Sequence, residues 1–147
     1  VLKNSDLIFI CVNTPTKTYG IGKGLALDMS FLEKAAYNIR DSCKKREVIV
    51  VEKSTVPVKS AERIYQILNS QIRTDTKFYI LSNPEFLSEG NAIDNILYPD
   101  RVLIGGVESN KGVVAIQALK DIYLNWVDES KIITTNLWSA ELSKLVL

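Results

Sequence analysis

Leu7-Ile8-Phe9-Ile10-Cys11-Val12 is an unbroken apolar run of strand length, and the residues that follow at once, Asn13-Thr14-Pro15-Thr16, are small, polar and turn-forming. A strand that is apolar at every position is covered on both faces, as in a parallel sheet. Val48-Ile49-Val50-Val51 repeats the pattern with β-branched residues. Phe78-Tyr79-Ile80-Leu81, Arg101-Val102-Leu103-Ile104 and the weaker Ile132-Ile133-Thr134-Thr135 supply three more candidates. Helix-period stripes lie between the runs. Leu32, Ala35, Ala36, Ile39 and Cys43 follow a candidate capping box of Ser30 and Glu33. Val58, Ala61, Ile64, Tyr65 and Leu68 follow Pro57, which suits a first helical turn. Val113, Ile116, Leu119, Tyr123 and Trp126 mark a third helix. Strands alternating with such helices predict an α/β fold with a parallel sheet and right-handed crossovers.

A chain of 147 residues fits one domain, and 46% hydrophobic with 24% charged residues is the composition of an ordinary globular protein. The net charge of +1 argues against nucleic acid or an anionic membrane as partner. No apolar run is long enough to span a bilayer, and no signal-peptide pattern opens the chain. Cys11 and Cys43 have no metal-ligand or redox spacing, and Cys11, inside an apolar run, reads as a buried structural thiol. The chain has no histidine, which excludes a Ser-His-Asp triad, a Cys-His dyad or a His-ligated zinc within it. Acid–base work must fall to Glu, Asp, Lys, Tyr or bound water.

Polar groups at the carboxyl ends of parallel strands are where such sheets bind ligands. Val12, Asn13, Thr14, Pro15 and Thr16 offer an amide, hydroxyls and backbone N–H groups after the first strand, suited to phosphate or ribose or simply to a β-turn. Ser54 and Thr55 stand in the same place after the second strand, where a hydroxyl could cap a helix or orient a water. After the third strand comes Ser82-Asn83-Pro84-Glu85-Phe86-Leu87-Ser88-Glu89-Gly90. A helix from Phe86 onward puts Glu85 and Glu89 near one face, where each charge raises the other's pKa.

Taken together, the Asn13-to-Gly20 stretch, Gly22-Lys23-Gly24, Glu52-Lys53-Ser54-Thr55-Val56-Pro57, the Asn-Pro-Glu-Phe-Leu run and Glu141-Leu142-Ser143-Lys144-Leu145 closely resemble the UDP-glucose 6-dehydrogenases, within the UDP-glucose/GDP-mannose dehydrogenase family. Order and spacing match across essentially the whole chain. The resemblance implies the second half of a Rossmann-like NAD-binding domain over residues 1–135, and the start of the central connecting helix over 136–147. It implies NAD as cofactor, held by Val12 to Thr16, Ser54, Thr55 and Glu89. UDP-glucose is the implied substrate, held by Glu85, Phe86, Leu87, Ser88, Glu89 and Lys144. Thr55 is expected to order a catalytic water, Glu85 to act as acid–base residue, and Lys144 to stabilise developing negative charge. From residue pattern alone, Lys144 lies off the Trp138, Leu142, Leu145 stripe and reads as a solvated lysine on the polar face, within reach of Glu141 or a neighbour.

The family's glycine-rich pyrophosphate turn and its nucleophilic cysteine have no counterpart in these residues, so the chain is expected to be an internal fragment, inactive alone. The implied parent is a cytoplasmic homo-oligomer that oxidises UDP-glucose to UDP-glucuronate by two successive hydride transfers. A dehydrogenase of another nucleotide sugar and a non-catalytic α/β oligomerisation module are the alternatives.

Overall fold

The computed structural model describes residues 1–70, 75–88 and 90–146. Five strands form one sheet in the order β1 (Leu7–Ile10), β2 (Glu47–Glu52), β3 (Lys77–Ser82), β4 (Val102–Gly106), β5 (Ile132–Asn136). All five coincide with the apolar runs. β1, β2 and β3 are mutually parallel, and so are β4 and β5. The expected parallel sheet needs one correction: β3 and β4 meet antiparallel, through the single rung Ser82↔Gly105. Because Gly105 lies level with the end of β3, the start of β4 projects past the sheet by about 10 Å, three residues at strand rise. The start of β4, with β5 paired along it, therefore rises as a wall past the carboxyl end of β3.

The helices are α1 (Ser30–Ser42), α2 (Ser60–Leu68), α3 (Ala92–Leu97), α4 (Asn110–Tyr123) and α5 (Leu137–Val146). Strand alternation splits the core in two. Ile8, Ile10, Val48, Val50, Phe78 and Ile80 pack beneath α1 and α2. Val51, Leu81, Val102 and Ile104 pack beneath α4 with Ala115, Leu119 and Tyr123. Helix α5 crosses β4 so closely that a Cβ on Gly105 would collide with the Ala140 Cβ.

Several local expectations change. Helix α1 has no capping box: Asp28 Oδ1 accepts from the Ser30 N–H at 2.9 Å, and Glu33 pairs with Arg63 at 3.1 Å instead. Helix α2 starts at Ser60, three residues after Pro57, and buries Ile67 while Tyr65 points out. In α4 the buried positions are Gly112, Ala115, Leu119 and Tyr123, with Val113 exposed. In α5 the apolar stripe Trp138, Leu142, Leu145 is exposed, and the buried pair is Ala140 and Glu141. No helix runs from Phe86: the chain is irregular over 83–88 and the next helix begins at Ala92. The helical premise for pairing Glu85 with Glu89 therefore fails, and Glu89 itself lies outside the described residues.

Candidate active site

The loops after β1 and β2 are tied together side by side. The Val12 N–H donates to Ser54 Oγ at 3.0 Å, Ser54 Oγ reaches the Ile10 carbonyl at 3.4 Å, and Thr14 Oγ1 donates to the Thr55 carbonyl at 2.8 Å. The hydroxyls of Thr14 and Ser54, expected to face a cofactor, are thus engaged in holding the two loops in register. Free polar groups remain: the exposed Asn13 side chain and the half-buried Thr55. Pro15 and Thr16 turn away into a hairpin, where the Pro15 carbonyl accepts from Asp28 N and Thr16 bridges Leu27.

A cavity of about 340 Å³ opens over these loops, lined by Val12, Asn13, Thr14, Ser54, Thr55 and Glu85, with Cys11 and Lys53 at its inner wall. A polar crevice at the carboxyl ends of parallel strands suits the sugar–phosphate part of a dinucleotide. On the other side of Glu85 lies a larger cavity of about 530 Å³, between β1, the 83–87 segment, the β4 wall and the end of α4. Phe86, Leu87 and Arg101 are among its lining residues. Cys11, Lys53 and Glu85 line both cavities. Cys11 is exposed, contrary to the buried thiol expected, because β1 ends at Ile10 and the next residue already faces the crevice.

The residues expected to bind substrate divide. Glu85, Phe86 and Leu87 are half-buried, Glu85 at the junction of the cavities and the other two along the larger one. Ser88 is exposed and turned to helix α3, its N–H and hydroxyl both donating to Asn95 Oδ1. Lys144 reaches over from α5, with its ammonium 5.7 Å from the Phe86 ring centre, and the Arg101 guanidinium lies 4.9 Å from the same ring. Phe86 is thus a shared cation–π platform that joins helix α5 to the Glu85 segment.

Sequence reasoning missed four residues that build the site. Asn83 is fully buried, donates through Nδ2 to the Leu103 carbonyl at 2.7 Å, and accepts through Oδ1 from Tyr123 OH at 2.5 Å. It thereby fastens the segment carrying Glu85 to the β4 wall. Burial pushes the Tyr123 phenol up to about 12, so it stays a donor throughout the physiological range. Glu141 sends both carboxylate oxygens to the start of α2: Lys59 N–H donates to Oε2 and Ala61 N–H to Oε1, each at 2.7 Å. Lys59 has φ +78°, a left-handed conformation held by that bond. Glu52 is buried beside it, and among the described residues neither its carboxyl oxygens nor Ser82 Oγ has a hydrogen-bond partner within 3.5 Å. Burial, reinforced by the Glu141 charge, pushes the Glu52 carboxyl up to about 8. Strand alternation past β2, which sends Glu52 and Lys53 to opposite faces, was the signal available in the sequence.

Among the described residues, no helix is long and apolar enough to cross a membrane, and no group of three or more His, Cys, Asp or Glu could hold a metal ion.

Known proteins can be set against this geometry. Residues 1–127 match the model of the UDP-glucose/GDP-mannose dehydrogenase family, NAD binding domain. The chain is 57% identical over 144 residues to UDP-glucose 6-dehydrogenase 3 of Arabidopsis thaliana, covering 98% of this chain and 30% of that protein. It is 59% identical over 141 residues to UDP-glucose 6-dehydrogenase 1 of Glycine max, with 96% and 29% covered. Among solved structures, a UDP-glucose dehydrogenase from the archaeon Pyrobaculum islandicum superposes with a TM-score of 0.82 at 30% identity, covering 99% of this chain and 32% of that one. A GDP-mannose dehydrogenase from Pseudomonas aeruginosa gives 0.81 at 27%, with 99% and 32% covered. The chain spans about 30% of the length of the curated relatives it matches. The strand-end crevice, the Rossmann-like architecture and the family match agree: this chain belongs to the NAD-binding domain of the UDP-glucose/GDP-mannose dehydrogenase family.

Proposed function

We propose that the full-length protein is an NAD-dependent UDP-glucose 6-dehydrogenase, which oxidises the C6 alcohol of UDP-glucose to the carboxylate of UDP-glucuronate in two successive hydride transfers. The observation that carries the reading is Glu85, which stands on the wall shared by the strand-end crevice and the larger cavity. Bound NAD supplies the hydride acceptor. The exposed Asn13 and the half-buried Thr55 face the crevice that would hold it.

The first oxidation releases one proton, and the second consumes a water and releases two, one of them from the carboxylic acid as it ionises. A carboxylate within reach of both cavities can take a proton, from the alcohol or from a water held by the Thr55 hydroxyl, which orients without supplying basicity. Lys144, on the far side of Phe86, supplies positive charge where oxygen becomes anionic. The identity near 57–59% to plant UDP-glucose enzymes supports UDP-glucose over other sugar nucleotides. Cytoplasmic location and homo-oligomeric assembly, expected from the sequence, are part of the same proposal, and size-exclusion chromatography with light scattering tests the assembly.

Incubating the full-length protein with UDP-glucose and NAD tests the reaction. Two NADH are expected per UDP-glucuronate formed. Glu85→Gln keeps the shape and removes the base, so kcat should fall by about a hundredfold or more with a smaller change in KM. Undiminished turnover in that variant refutes the assignment of Glu85.

A further inference from the structure

Lys144 meets the Glu85 segment through one side chain, Phe86. Its Nζ lies 5.7 Å from the ring centre, and the Arg101 guanidinium lies 4.9 Å from the same ring. Both distances fall within the roughly 6 Å over which an aromatic face attracts a cation. Among the described residues, neither Lys144 nor Arg101 makes an ion pair. The backbone beneath Lys144 is already fixed, because in the preceding turn of α5 Ala140 packs on Gly105 and Glu141 holds the α2 start. Those contacts leave its side chain loose. A lysine carries its charge on a flexible four-carbon stem, and a charge that must meet a developing oxyanion works best when it is held in place beforehand. Phe86 is half-buried, lines the larger cavity and follows Glu85 directly. Arg101, the residue before β4, steadies the ring from the wall.

We propose that Phe86 is a positioning residue for the proposed reaction: the face of its ring holds the Lys144 ammonium on the residue next to Glu85, so that the charge is in place before oxygen becomes anionic. This rests on the reading of Lys144 as the stabilising charge, and adds what aims it. A Phe86 that only packs and a Phe86 that holds a cation differ in one property. Only the second depends on the negative potential of the ring face.

In the full-length protein, Phe86 would be replaced site-specifically by mono-, di- and trifluorophenylalanine, which keep the ring close to its shape and drain the potential of its face step by step. kcat should fall stepwise, by about three- to tenfold at the trifluoro ring, with the KM for NAD and the thermal midpoint unchanged. In a Lys144→Ala background the same series should leave kcat flat, which assigns the effect to the pair. Phe86→Tyr, which keeps an aromatic face, should retain most of the turnover, and Phe86→Leu should lose at least as much as the trifluoro ring. Reductive methylation with isotope-labelled formaldehyde, which keeps the charge, reads the contact without catalysis. The Lys144 methyl resonance, assigned by its loss in Lys144→Arg, should be displaced by the ring current and return to the position of an exposed lysine in Phe86→Leu. Turnover indifferent to fluorination, a fall that persists in the Lys144→Ala background, or a methyl resonance unmoved by Phe86→Leu overturns the proposal. Undiminished turnover in Lys144→Ala instead removes the reading of Lys144 beneath it, and is told apart because the methyl resonance still responds to Phe86→Leu.

Discussion

Replacing Glu141 with alanine should destabilise the chain by about 3 kcal/mol. The carboxylate accepts two backbone N–H groups of the α2 start at 2.7 Å each, and its residue is 1% exposed. Leaving a buried donor without an acceptor costs about 1–3 kcal/mol, so two donors give about 2–6 kcal/mol. The lower half of that range applies because burial raises the Glu141 pKa, so the native carboxylate already carries a desolvation cost. Relaxation of Lys59 from its left-handed conformation returns a little more. For 147 residues the unfolding entropy is about 0.3 kcal/mol/K, so a 3 kcal/mol loss lowers Tm by about 10 °C. Glu141→Gln retains one carbonyl acceptor and should lose about half as much. Urea unfolding followed by circular dichroism measures both. A loss below about 1 kcal/mol in the alanine variant would mean that the α2 start finds other acceptors, and the claim that Glu141 anchors it fails.

Glu52 carries a pH prediction. Its folded pKa of about 8 lies above the ordinary carboxyl range, so the folded chain holds a proton that the unfolded chain has released. Its contribution to stability is complete below the ordinary carboxyl range and is lost as pH rises to about 8. Glu52→Gln should flatten that decline and be the more stable protein at pH 9; Glu141, also raised, leaves a smaller slope. Urea midpoints from pH 5 to 9 that run parallel for both proteins contradict this. For Lys144, the alanine variant of the full-length protein should lower kcat by about ten- to a thousandfold with little effect on NAD affinity. Unchanged turnover would return Lys144 to the role of a solvated lysine on α5.

How much was legible in advance follows from the range over which each residue acts. The strands were readable because a parallel strand is apolar at every position, and Val48 to Val51 could be little else. The placement of Thr55 and Glu85 beside the crevice was legible because each lies three residues past its strand, whose carboxyl end fixes their place; their roles came only from the family resemblance. Glu141 was not. As part of a helix pattern it reads as a surface residue, and its partners are backbone groups some eighty positions earlier, which no side-chain pattern announces. The Trp138, Leu142, Leu145 stripe misled for a related reason. Helix α5 must approach Gly105 closely, so its small residue Ala140 faces the sheet and the large ones turn outward.

The single rung between β3 and β4 has a consequence for how the molecule assembles. On one side of it, β1, β2 and β3 are consecutive, parallel and joined by α1 and α2; on the other, β4, α4 and β5 form a second such unit. Each can gather through contacts close in sequence, whereas Ser82↔Gly105, the Asn83–Leu103 bond and the packing of Val51 and Leu81 beneath α4 form only when the two units dock. The larger cavity straddles that joint, with Glu85 on one side and Arg101 on the other. It should therefore be the last part to form and the first to open. In native-state hydrogen exchange, the amides around Asn83 and Leu103 should exchange through a lower-energy opening than those of β2, while each unit stays intact.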